Sequence, residues 1–367
     1  MVAQAIGPGG ARLSASTLET LWSRLAAAGL TTGEMPTATA SHTPWYVRVM
    51  LCIAGLIAAG FLLGFVGAGF AFIVQSKTAS AAAGFMLMTA AYALFRAVPR
   101  SDFGSMFALA VSLAGQALFI YGFFGLFERG ASGTAYLLIA AIETALAIVM
   151  PNVIHRFASA YAAALALAFG LAASGVGFIA AGLIATAVAV VWLNEGRLAS
   201  IHATAVPIGY GLTVAFIQIE ATTLLGRGLF VPMAASTVLE RPWLGEALVT
   251  ATLIAGIATL IKRAAWRWDE PKTIFTLLAV LAIGAASFKA PGIAGGLLIV
   301  MLGHANGNRV LTGLGVAALL FYVSGYYYQL DVTLLVKSGV LAATGAVLLA
   351  ARWLMLNFIM PDDAGHA

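Results

Sequence analysis

Charge is what this chain most lacks. Only 9% of its 367 residues are Asp, Glu, Lys or Arg, against roughly 25% in an ordinary soluble domain, and 62% are hydrophobic. So few charges cannot cover a globular surface in water, and the composition reads as a multi-pass membrane protein. Cysteine is nearly absent too. The single Cys52 excludes a disulfide framework and a paired-cysteine metal site. Motifs of chemistry are missing as well. "GFVGAGF" (64–70) has no P-loop lysine and no preceding strand, so it is not read as a phosphate cradle. There is no pair of histidines spaced four apart and no serine elbow, and the histidines at 42, 155, 202, 304 and 366 lie far apart in the chain. No catalytic residue, no metal ligand set and no cofactor is expected. The net charge of +5 comes from loop residues rather than a basic face outside the membrane, which speaks against a nucleic-acid partner.

What is present is a succession of apolar stretches. Candidate spans fall at about 48–74, 79–97, 103–127, 133–153, 157–174, 176–193, 200–219, 243–262, 272–288, 291–304, 309–328 and 332–358, each near the ~20 residues needed to cross a bilayer. The expected fold is all-α, a polytopic bundle of about twelve spans (10–12) occupying 45–360, with a cytoplasmic helix and linker at 1–44 and a cytoplasmic tail at 361–367. No signal peptide is expected ahead of it. Within 1–44, Ser16 and Glu19 have capping-box spacing, Leu18, Leu21, Trp22 and Leu25 share one face, and Gly29 is a natural stop. The spacing predicts a short amphipathic helix lying on lipid or on the bundle. With the N-terminus inside, 13 of the 19 Lys and Arg residues fall in inner loops, "KRAAWRWDEPK" (262–272) being the strongest anchor, so both termini are placed in the cytoplasm.

Small residues and intramembrane polar groups carry the rest of the signal. Gly60 and Gly64, and Gly292 and Gly296, are spaced four apart and predict close helix contacts. Glu143 lies near the middle of its span, where it reads either as a proton or cation relay or as an interhelical hydrogen bond. Gln116, Gln218 and Glu220 read as interhelical glue. Pro207, with Gly209 and Gly211 behind it, predicts a kink. Around Lys289, Pro291 and Gly292 the apolar pattern breaks, and only about fourteen residues follow to His304. A tight turn between two short spans is one reading. A discontinuous helix, offering backbone ends to an ion, is the other.

The last candidate is Lys337 in "SGYYYQLDVTLLVKSG" (324–339). A span capped by Asp331 and running to Arg352 would be about 31 Å long at ~1.5 Å per residue, with Tyr326, Tyr327 and Tyr328 at an outer aromatic belt and Trp353 at the inner one. Lys337 then reads as an anchor snorkelling outward rather than a substrate ligand. The same stretch, within 307–355, together with "LWSRLAAAGL" and "PWYVRVMLCIAGLIAAGFLLGF", resembles the bacterial membrane family known as domain of unknown function 4401. The resemblance implies an inner-membrane protein, a neighbouring multi-pass protein and a periplasmic protein with a GDYXXLXY motif as partners, and no known reaction. Two functions remain. One is a membrane scaffold or subunit of an envelope assembly, with the bilayer as its surroundings; the other is a transporter or channel for a small solute or protons.

Overall fold

The structure is a computed structural model, and it describes residues 20, 22–24, 26–29, 45–69, 71–97, 102–127, 132–225, 242–329, 335 and 338–339. By contacts the chain divides at Leu51/Cys52. In the smaller unit, residues 22–24 and 26–27 are helical. Gly29 has a φ of 67°, the left-handed conformation of a helix stop, and its N–H reaches the Ala26 carbonyl at 3.0 Å. The capping box and the Leu18, Leu21 and Leu25 face lie outside the described residues.

Among the described residues the structure is all-helical, without strands. The helices are α1 (Trp45–Gly69), α2 (Ala71–Gln75), α3 (Lys77–Ala97), α4 (Asp102–Gly125), α5 (Gly133–Val149) and α6 (Val153–Ala173). They continue with α7 (Ala180–Leu193), α8 (His202–Leu225), α9 (Pro242–Arg263), α10 (Pro271–Ser287), α11 (Ile293–Ala305) and α12 (Arg309–Gln329). A helix therefore stands at every candidate span up to 328; of the span at 332–358 only residues 335 and 338–339 are described, and Asp331 and Lys337 lie outside them. Six helices are long and apolar enough to cross a membrane, and four more are apolar but only 10–17 residues long. Large apolar side chains face outward, among them Met86 at 70%, Leu278 at 60% and Leu320 at 65% exposure, as a surface against lipid requires and one against water forbids. The protein is a membrane protein.

Local chemistry sets the helix ends. The Ser132 hydroxyl accepts from Ala135 N–H, and Asn152 Oδ1 accepts from Ile154 and His155 N–H at 2.9 and 3.1 Å. Pro271 opens α10, where a missing N–H costs nothing. Because lipid gives helices no hydrophobic reason to associate, packing rests on close approach. The faces are accordingly small: α6 buries Ala160, Ala163, Ala164, Ala166 and Ala168, and a Cβ on Gly115 of α4 would stand 2.8 Å from Leu87 Cβ of α3. On α3 the buried positions Ser80, Gly84, Met88, Ala91 and Phe95 trace one helical face. The largest core lies among α6, α7, α8, α9 and α11, around Trp192, Phe216, Leu253 and Leu298. The predicted Gly60 and Gly64 contact differs: a Cβ on either meets nothing within 4 Å among the described residues. Gly296 does have its neighbour, Leu319 of α12.

Pro207 sits inside α8 and removes the N–H that would serve the Ala203 carbonyl one turn earlier. Arg156 of α6 replaces it, donating from Nη1 to Ala203 O at 2.9 Å. The ends of the helices also sort. Arg263 Nη1 donates to Leu193 O, Asn306 Nδ2 to Trp192 O and Tyr210 OH to Asn308 Oδ1, tying the loops at 194–201, 264–270 and 306–308 to one end of the bundle. The three ion pairs among the described residues, His202–Glu195, Arg267–Asp269 and Lys272–Glu270, stand at that end too. Arg267 holds the exposed Asp269 carboxyl below the usual carboxylate range.

Candidate functional site: two buried acid clusters

Glu143 belongs to the buried face of α5, with Ala135, Ile139, Ala140 and Ala147, and is 1% exposed. Its Oε2 accepts from Gln116 Nε2 of α4, which also donates to Ser159 Oγ of α6 at 3.1 Å. Ser159 Oγ lies 3.3 Å from His155 Nε2, and His155 Nδ1 lies 3.1 Å from Ser112 Oγ of α4. A neutral imidazole donates from one nitrogen and accepts at the other, so this run is continuous for either tautomer. Five polar side chains on three helices thus form one chain, closed off by alanine and leucine. Among its fully buried polar atoms only Glu143 Oε1 has no hydrogen-bond partner.

The second cluster lies at the opposite end of the bundle from the ion pairs. Glu220, five residues before the end of α8, and Glu246, in the second turn of α9, are 1% and 2% exposed and line one small cavity. Residues 288–292 are a turn, and it delivers Gly292 to the start of α11 with a φ of 90°. Glycine is required twice over here. A left-handed φ strains any other residue, and a Cβ would stand 2.8 Å from the Tyr322 ring. Gly292 N–H donates to Glu246 Oε1 at 3.2 Å, Ala294 N–H to Ser287 Oγ at 2.8 Å, and Tyr322 OH to Ile217 O at 2.9 Å. Glu220 Oε2, Glu246 Oε2 and Thr250 Oγ1 are buried without a hydrogen-bond partner. Both acids line a small cavity with Gly177, Phe178, Ala181 and Gly245, giving a water centre about 10 Å³.

The other sequence candidates stand apart from both clusters. Lys289 is exposed at the α10–α11 turn, and His304 is exposed in the last turn of α11. Gln218 accepts from Tyr161 OH across α6 and α8. No group of three His, Cys, Asp or Glu among the described residues could hold a metal ion. Glu246, His155, Ser159 and Tyr322 carried no signal as site residues in the sequence. Glu246 alone had a possible marker, an acid one turn inside an apolar span.

A third feature is an open groove of about 760 Å³ on the outer face of α7 and α9. Its walls carry Gly182, Thr186 and Ala189 on one side and Ala251, Ala255 and Thr259 on the other, and Arg197, Lys262 and Arg263 stand at one end.

Lipid-facing helices that enclose buried polar clusters define a polytopic helical membrane protein. The chain belongs to the family described as Domain of unknown function (DUF4401), whose match covers residues 44–358. No curated protein matches it, and no solved structure does.

Proposed function

We propose that the protein is a scaffold or assembly subunit of a bacterial inner membrane, which seats a transmembrane helix of a neighbouring multi-pass protein in the α7–α9 groove. The groove carries this reading. Small residues recur three or four positions apart on both walls, the pattern that lets a further helix backbone come close in lipid. Thr186 and Thr252 hydroxyls already pair across its floor at 3.1 Å. Glu143 fits the same reading, because its carboxyl is engaged by neighbouring helices rather than by open space. Twelve spans with both termini in the cytoplasm would put Arg197, Lys262 and Arg263 on the inner side, in keeping with the bias of basic loop residues. The transporter reading keeps one observation in its favour, the buried acid pair.

The test places a photo-crosslinking residue at Thr186 or Thr259 and, as a control, at the exposed Leu278 on α10, with the multi-pass neighbour co-expressed. A discrete adduct with that neighbour from the groove positions alone, lost when Ala255→Trp fills the groove, is expected. Lipid adducts of equal yield at all three positions would overturn the scaffold reading. Alkaline phosphatase fused at Ala264 is expected to be inactive and at Gly175 active; the reverse pattern would invert the orientation.

A further inference from the structure

Glu220 and Glu246 take no part in the groove. Two carboxyls that line one small buried cavity cannot both stay ionised without a cation between them, so one of them holds a proton. Glu246 is the better acceptor. Its Oε1 takes the Gly292 N–H at the start of α11, where free amides and the helix dipole favour negative charge. Glu220 is then the carboxyl that holds the proton, and a pair with one proton carries one negative charge.

We propose that this pair is a binding site for one small alkali cation, taken up in exchange for the proton that the two carboxyls share. Two oxygens support it independently of the pairing. Glu220 Oε2 and Glu246 Oε2 are buried and make no hydrogen bond, and both acids line the same cavity. Buried polar atoms left so are costly and mark an interaction still to be made. The cavity that both acids line, between the 177–181 segment and helices α8 and α9, has about the size of one water-sized occupant. That size selects the ligand. Magnesium keeps several of its waters and calcium takes six to eight oxygens, and neither set fits in such a space. An alkali ion that has shed most of its water does. Replacing H⁺ by Na⁺ also leaves the net charge at minus one, so the swap adds no buried charge. Among the described residues, the remaining titratable group facing the pair is Tyr322 of α12, whose hydroxyl is engaged by Ile217 O. Lys289, at the same end, is exposed and turned to the surface.

The experiment uses the purified full chain in detergent at low buffer concentration, with NaCl added against choline chloride while protons are followed with a pH indicator. Na⁺ is expected to release protons and to raise the midpoint of thermal unfolding; choline is expected to do neither. Because one proton leaves for each ion bound, the apparent Na⁺ affinity should weaken about tenfold for each unit by which pH falls. Glu220→Gln and Glu246→Gln should each abolish the release, whereas Glu143→Gln in the other cluster and Ala255→Trp in the groove should keep it. An equal response to both salts, as a cavity holding only water would give, overturns the proposal, and so does a release that survives in Glu246→Gln. Where a Gln variant does not stay monodisperse, the comparison of Na⁺ with choline on the unaltered chain decides alone.

Discussion

Glu143 and the Glu220–Glu246 pair are the same kind of side chain in the same kind of solvent, and the bundle treats them in opposite ways. Around Glu143 it supplies an amide, two hydroxyls and an imidazole from α4 and α6, so that one oxygen of a single carboxyl is engaged by its neighbours and only Oε1 is left over. Around Glu220 it supplies a second acid, a left-handed glycine and a cavity, and it leaves an oxygen of each acid unmatched. A polar group in lipid that is matched by neutral partners joins helices. One that is matched by its own kind, beside empty space, has been kept at a cost to packing, and function is the physical reason for bearing such a cost.

The sharpest way to break this contrast is to make both sites apolar. Glu220→Leu alone should destabilise by about 3 kcal/mol, because it strands Glu246 as an unpaired buried carboxyl. Glu220→Leu with Glu246→Leu should recover most of that loss, ending within about 1 kcal/mol of the unaltered chain in detergent unfolding. A double variant no better than the single would mean that the pair itself holds the helices together. Next in size, Glu143→Ala is expected to cost about 1–2 kcal/mol by depriving Gln116 of an acceptor, and Glu143→Gln less, since an amide oxygen can still accept. Should Glu143→Ala prove neutral while Na⁺-linked proton release disappears, the roles of the two clusters would be exchanged. The smallest effect concerns a bond in neither cluster. Arg156→Met should cost about 1 kcal/mol through the orphaned Ala203 carbonyl, and close to nothing in a Pro207→Ala background, where α8 regains the N–H that serves it. Equal costs in both backgrounds would detach Arg156 from the proline.

The helices were legible in the sequence because apolar runs of spanning length, closed by Ser132, Asn152 or Pro271, leave little choice of structure in lipid. Glu143 was legible for the related reason that an acid in mid-span has nowhere to hide. Its partners were not. Ser112 and His155 are 43 residues apart and meet only once α4 and α6 pack, so judging the histidines by their distance along the chain missed the contact. Glu246 follows "RPW" at the start of its span and looks like an interface residue; only the return of the chain after α8 sets it against Glu220. For Gly60 and Gly64 no neighbour stands within 4 Å among the described residues. Spacing of four aligns small residues on one face, but it does not say what comes against them.

Helix α11 has only 13 residues, about 20 Å at ~1.5 Å per residue, while a hydrocarbon core is about 30 Å thick. It is wrapped by α7, α8, α9, α10 and α12, so the shortfall is never felt by lipid; it is felt by the electric field. The full drop across a membrane is worth about 2.3 kcal/mol per elementary charge for each 100 mV. An ion reaching Glu246 from the near end of the bundle crosses the few residues of α9 ahead of that acid and traverses only a fraction of this drop, while the longer remaining stretch is filled by packed side chains. Voltage would therefore act weakly on filling the acid pair from that side and strongly on any passage beyond it.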